Sequence, residues 1–168
     1  MSQYNFQTDI LPLKNELFRL ALRITMNRLE AEDVVQETLI KVWNKRNEWD
    51  DIDSMEAFCL TICRNLALDR LRHADNHTET LDGSMDPSDQ SHTANPEEQT
   101  IQRNRVEVVR HLINQLPEKQ RSCMQLRDIE GKSYRDIAAV MGITEQQVKV
   151  NIFRARQTIK ERFQKLEQ

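Results

Sequence analysis

Through most of the chain apolar residues recur every three to four positions, the spacing of an amphipathic helix. Leu17, Leu20, Ala21 and Ile24 predict a first helix over about 9–27. Val35, Leu39, Val42 and Trp43 share one face of a second, over about 29–47, opening near Asn27. Phe58, Cys59, Ile62, Cys63, Leu66 and Leu71 make a third, over about 54–73, apolar nearly all round, as expected of a central helix that Asp53 or Ser54 can cap. The pattern then stops. Ala74–Gln99 offers only Leu81 and Met85 as sizeable apolar side chains, too few to offset the entropy of ordering, so it reads as a flexible linker. As a random coil it would span roughly 30 Å, with a stretched limit near ~90 Å. Periodicity resumes with "NPEE", an N-cap followed by Pro at the first helical position, and predicts a helix from Pro96 to about Gln115. Another runs from Pro117 to about Glu130, where Gly131 stops it, and two more lie within "SYRDIAAVMGITEQQVKVNIFRARQTI".

Seven helices and no strand pattern make the expected class all-α. Composition agrees: 3 Gly in 168 residues and 30% charged side chains suit small helical cores. No apolar run approaches a membrane span and residues 1–30 lack a signal-peptide pattern, so a cytoplasmic protein is expected. Three cysteines without framework spacing fit a reducing compartment. The net charge of −3 is the sum of three unlike segments: residues 1–73 carry −2, residues 74–100 carry −7, and residues 101–168 carry +6. A polyanion would therefore meet a basic C-terminal surface.

That surface has a recognisable frame. Ser133-x-x-Asp136 and Thr144-x-x-Gln147 are both capping-box patterns, each ahead of an apolar helical face, and Gly142 sits between them where a tight turn needs positive φ. Ile137, Ala138, Met141, Ile143, Val148, Ile152 and Ile159 would join the two helices. This is a helix-turn-helix arrangement. Gln146, Lys149, Val150, Phe153, Arg154 and Arg156 fall off the apolar face of its second helix, a set that offers base-edge donors and cations for phosphate. On these residues alone an ordinary αα-hairpin with a solvated basic face remains the alternative.

"LPEKQRSCMQLRDIEGKSYRDIAAVMGITEQQVKVNIFRARQTI" resembles region 4 of bacterial RNA polymerase sigma factors of the extracytoplasmic-function group. "LFRLALRITMNRLEAEDVVQETLIKVW" resembles their regions 2.1–2.2, and "FCLTICRNLALDRLR" their regions 2.3–2.4. The likeness covers about 10–73 and 101–165. It implies two small helical domains, 1–73 and 101–168, joined by the acidic linker at 74–100.

By the same resemblance, Asp33, Gln36 and Glu37 stand at positions that bind the clamp coiled coil of the polymerase β′ subunit, and the helix near Leu116–Arg127 would face the β flap. Arg64, Asn65, Asp69, Arg70 and Arg72 match the helix that meets the −10 element as it opens. Trp49, in the loop before it, is a candidate stacking platform for an unpaired base, or equally a packing anchor, while Trp43 is expected in the core. Lys149, Val150, Phe153 and Arg154 match readers of the −35 element, beside Gln146, with Arg135 and Arg156 placed for phosphates. Two positions depart from the family: Cys59, where relatives commonly carry Trp, and Asn151, where they often carry a basic residue. An anti-sigma factor is a further partner that such proteins often have.

Two other readings fit parts of the pattern: a stand-alone helix-turn-helix regulator, and a helical polymerase-binding module that does not read DNA. Neither needs the EDVVQE and CRNLALDRLR segments together. Cys59 with Cys63 and His73 with His77 have i,i+4 spacing, but the cysteines lie on the apolar face, where free thiols behave as small hydrophobes. No metal, cofactor or catalytic residue is expected, and the chemistry would belong to the polymerase. The acidic linker is expected to restrain DNA binding by the free protein or to occupy the RNA path, unless it is only a spacer.

Overall fold

The computed structural model describes residues 3–76 and 97–167, and among these every regular element is helical. The helices are α1 (Lys14–Thr25), α2 (Arg28–Asn44), α3 (Met55–Asn76), α4 (Glu97–Asn114), α5 (Glu118–Met124), α6 (Tyr134–Met141) and α7 (Glu145–Glu167). Short π-helical and 3-10 turns lead into α1 from Phe6, where Pro12 can close a first turn but not continue one, and a 3-10 turn at Arg46–Asp51 joins α2 to α3. A π-helical turn, Gln125–Ile129, carries α5 on towards Gly131.

Caps set the boundaries where the sequence predicts them. Met26 takes a left-handed conformation (φ 57°) after α1, and the Asn27 side chain accepts from the Glu30 amide at 3.0 Å to start α2. Ser54, not Asp53, caps α3 through the Ala57 amide. Ser133 Oγ accepts from the Asp136 amide. Thr144 and Gln147 close a complete box, each side chain accepting from the other's amide at 3.1 and 2.9 Å. Gly142 ends α6 at φ +67°, a conformation that a Cβ would strain. The Asn95–Pro96 cap and most of the acidic linker, residues 77–96, lie outside the described residues.

α1, α2 and α3 pack around Leu17, Leu20, Ala21, Ile24, Val34, Val35, Val42, Leu60 and Cys63. α5, α6 and α7 pack around Leu126, Ile137, Val140, Val148 and Ile152, with α4 laid against α7. These two groups also meet: α5 packs on α1 and α6 on α3, so one buried cluster runs through both. This closed arrangement decides which candidate residues face solvent.

Candidate functional site

The basic helix α7 presents its predicted readers to solvent. Gln146, Lys149, Val150, Phe153 and Arg154 are all exposed, Phe153 at 67%, while Val148, Ile152 and Ala155 hold the opposite face in the core. Spacings of three and four put the exposed set on one stripe, shaped for a groove. Lys149 is steadied over the Tyr134 ring at 5.2 Å, which Arg127 also covers at 4.2 Å. Arg135, at the start of α6, is exposed. Arg156 is exposed but engaged: its Nε donates to Asp128 at 3.0 Å and its Nη2 bonds the other oxygen of that carboxylate. A phosphate would have to compete with Asp128 for it.

On α2, Asp33 and Gln36 are exposed and Glu37 is half-buried. Two large apolar side chains that the sequence reading missed extend their stripe: Leu29 is 75% exposed and Ile40 60%. Leu29, Asp33, Gln36 and Ile40 recur at four, three and four residues, a continuous face with an apolar residue at each end. The signal was available: both break the rule that the apolar positions of α2 point inward.

The helix predicted to meet melting DNA is divided by the fold. Asn65, Asp69 and Arg72 are exposed along one stripe of α3. Arg64 is not with them. It is 7% exposed and makes a bidentate pair with Glu118 of α5, Nε at 3.1 Å and Nη2 at 2.7 Å. Arg70 faces α2, where its guanidinium joins Glu30, Asp33 and Glu37. Of the five residues expected on this helix at the −10 element, three are thus open to solvent and two arginines are held by carboxylates.

Of the two readings of Trp49, the structure shows the packing anchor and not the stacking platform. It is 4% exposed and its indole N–H donates to the Val42 carbonyl at 3.0 Å, so it anchors the 3-10 turn beneath α2 and offers no stacking face. The exposed indole is Trp43, expected in the core but 45% accessible. It meets Phe6 edge-on at 5.4 Å and Trp49 at 6.1 Å, with the Arg46 guanidinium 4.7 Å above it. Tyr4, Asn5, Phe6 and Gln7 complete a concavity of about 400 Å³ around the two indoles. Trp49→Ala is expected to cost about 3–5 kcal/mol of stability in urea unfolding, as buried aromatic truncations do, and Trp43→Ala only about 1–2.

Charge is concentrated where the two helix groups meet. Arg19 forks onto Glu130 at 2.6 and 2.7 Å, and Lys132 bonds Glu16 at 3.0 Å and Glu56 at 2.8 Å. Burial works against the charge on Lys132, but its bonds to Glu56 and Glu16 outweigh that and hold its pKa above the ordinary value. Arg121, 5% exposed, donates to the carbonyls of Arg23 and Ile24 at the end of α1 and to that of Leu116. Burial, with Arg110 and Arg121 nearby, pulls the pKa of Arg23 down.

The three cysteines are free and buried, with burial raising Cys59 and Cys63 to about 12 and Cys123 to about 11, so they are inert thiols. Among the described residues no group of three His, Cys, Asp or Glu side chains is placed to hold a metal, and no helix is long and apolar enough to cross a membrane.

Comparison with known proteins gives this geometry a context. Residues 10–77 match the family model "Sigma-70 region 2" and residues 107–159 match "Sigma-70, region 4". The chain is 30% identical over 168 residues to the RNA polymerase sigma-H factor of Pseudomonas aeruginosa, covering 96% of this chain and 87% of that one. It is 31% identical over 151 residues to the ECF RNA polymerase sigma factor SigL of Mycobacterium tuberculosis, covering 89% and 84%. In fold it is similar to the sigma factor RpoE of Bartonella quintana, solved with the anti-sigma factor NepR (TM-score 0.71, 24% identity, 93% of this chain and 94% of that one). It is also similar to CnrH, solved with the cytosolic domain of CnrY (TM-score 0.66, 21% identity, 95% and 87%).

Proposed function

The chain belongs to the RNA polymerase sigma factors of the extracytoplasmic-function group, which direct transcription initiation at promoter DNA, and we propose that it divides this task among three surfaces. The face of α2 that carries Asp33, Gln36 and Glu37, with Leu29 and Ile40 at its ends, docks core polymerase. The exposed stripe of α7 reads the −35 element. Asn65, Asp69 and Arg72 on α3 meet the −10 element as it opens. The chain has two domains, residues 1–73 and 101–168, and the segment between them serves as the tether. The protein works in the cytoplasm as a non-enzymatic subunit, the polymerase supplying the chemistry.

The observation that carries this reading is the exposed stripe of α7, where apolar and cationic side chains stand free of the core on a helix fixed by two caps and a glycine turn. A partner protein covering the closed form, an anti-sigma factor, is supported by the complexes in which the similar folds of RpoE and CnrH were solved.

Promoter-specific run-off transcription by core polymerase, with and without the chain, tests the whole assignment: transcripts should start at defined promoters only when it is present. For the −35 surface, Arg154→Ala should lose about 1–3 kcal/mol of discrimination between matched and mismatched elements, the worth of a bidentate base contact. Arg135→Ala should weaken all sequences about equally. Equal losses on both elements for Arg154→Ala would count against base reading.

A further inference from the structure

We propose that Arg70 is a positioning residue for the polymerase-docking face of α2 and not a DNA contact, an inference that rests on the docking assignment above. The helical geometry separates it from the DNA-facing stripe of α3. Asn65, Asp69 and Arg72 are spaced by four and three residues, whereas Arg70 follows Asn65 by five, about 140° around the axis. It follows Cys63 by seven and Ala67 by three, and both of those are fully buried, so Arg70 leaves the helix on the inward side.

There it meets three carboxylates. Glu30, Asp33 and Glu37 occupy adjoining turns of α2 and would repel one another if left alone. Nη1 of Arg70 bonds Glu30 at 2.5 Å and lies 3.4 Å from Asp33, while Nη2 bonds Glu37. The guanidinium side chain is 26% exposed and the three acids are 44–66% exposed, so one planar cation is anchored from beneath while its partners keep faces open to solvent. Glu30 foremost, with Glu37, holds the pKa of Arg70 above its usual value. Two of these acids, Asp33 and Glu37, are the docking candidates. A carboxylate already fixed in its rotamer loses less freedom when a partner takes it, so Arg70 prepares the face that polymerase finds.

The test is the affinity of the full-length chain for purified core polymerase without DNA. Arg70→Gln should weaken it about five- to tenfold, the cost of fixing two rotamer-rich side chains at docking. Combined with Glu37→Gln the loss should be smaller than the sum of the two single losses, because both changes break the Arg70–Glu37 pair. Arg70→Lys, which keeps the charge but cannot bridge three acids, should fall between Gln and the native residue, and it carries the test should Arg70→Gln unfold in urea controls. At saturating core, promoter opening by Arg70→Gln should equal that of the native chain. Native core affinity for either Arg70 variant while Glu37→Gln binds weakly would overturn the proposal, as would additive effects of Arg70→Gln and Glu37→Gln, or loss of opening at saturating core. Native affinity for Glu37→Gln would instead remove the role of Glu37 in docking on which the proposal stands.

Discussion

Asp33→Arg is expected to lower the affinity for core polymerase about a hundredfold, or ~2.7 kcal/mol, while leaving the fold intact. Reversing a charge at the centre of a docking face removes an attractive contact and places a repulsive one, and truncations of such contacts alone cost about 2–5 kcal/mol. The position can be changed without collateral damage because Asp33 is the most exposed of the three acids around Arg70 and the farthest from it, at 3.4 Å. Glu30 and Glu37 keep Arg70 in place. Reversal at Glu37 would set two cations against each other at the α2–α3 contact and confuse docking with stability. Glu48→Arg, the same charge change on the exposed 3-10 turn, is the control and should alter affinity less than about threefold. Core binding by fluorescence anisotropy decides it; an Asp33→Arg chain that binds like the control would remove Asp33 from the interface.

What the sequence revealed here follows a physical divide. Helices and caps are local, fixed by spacing within four residues and by short polar side chains, so the Thr144–Gln147 box and the Gly142 turn were readable directly. The α7 stripe was readable too, because its apolar face is continuous and everything off that face must point to solvent. Trp43 was misplaced because periodicity on α2 treats Val42 and Trp43 as neighbours on one face. It cannot see Trp49 folding back under a 3-10 turn to take the Val42 carbonyl, which occupies the inner place and leaves Trp43 at the rim. Arg70 was legible in principle, since its phase relative to Cys63 and Ala67 points inward. Arg64 was not. Its partner, Glu118, lies 54 residues away across the linker, and no spacing rule pairs two residues on different helix groups.

That pair has the second large consequence: Glu118→Arg is expected to open the chain. Arg64 is 7% exposed and the Glu118 side chain 18%, so the reversal would bury two guanidinium groups against each other, and breaking a buried pair typically costs about 3–5 kcal/mol. Beside the apolar packing of α6 on α3 and α5 on α1, the contact's other polar links are Arg19 with Glu130, Lys132 with Glu16 and Glu56, and Arg121 on the carbonyls that end α1. Each offsets its gain with desolvation, and Glu16 Oε1 is buried without a partner. The function requires such a releasable contact. By their positions the −10 and −35 elements lie about 25 base pairs apart, ~85 Å along the duplex at 3.4 Å per pair. A compact chain of this length is about 40 Å across, with a radius of gyration near 15 Å. The closed form therefore cannot span both elements, although its α7 stripe is already exposed. Twenty residues separate Asn76 from Glu97, and at full extension they reach at most about 70 Å, enough for two separated domains to span the rest. Small-angle scattering should give Glu118→Arg a radius of gyration beyond ~20 Å. The same variant should bind single-stranded −10 DNA more tightly than the native chain, because Arg64 is uncovered. A Glu118→Arg chain that stays near 15 Å would mean that the apolar contact of α6 on α3 holds the two groups together without the Arg64–Glu118 pair.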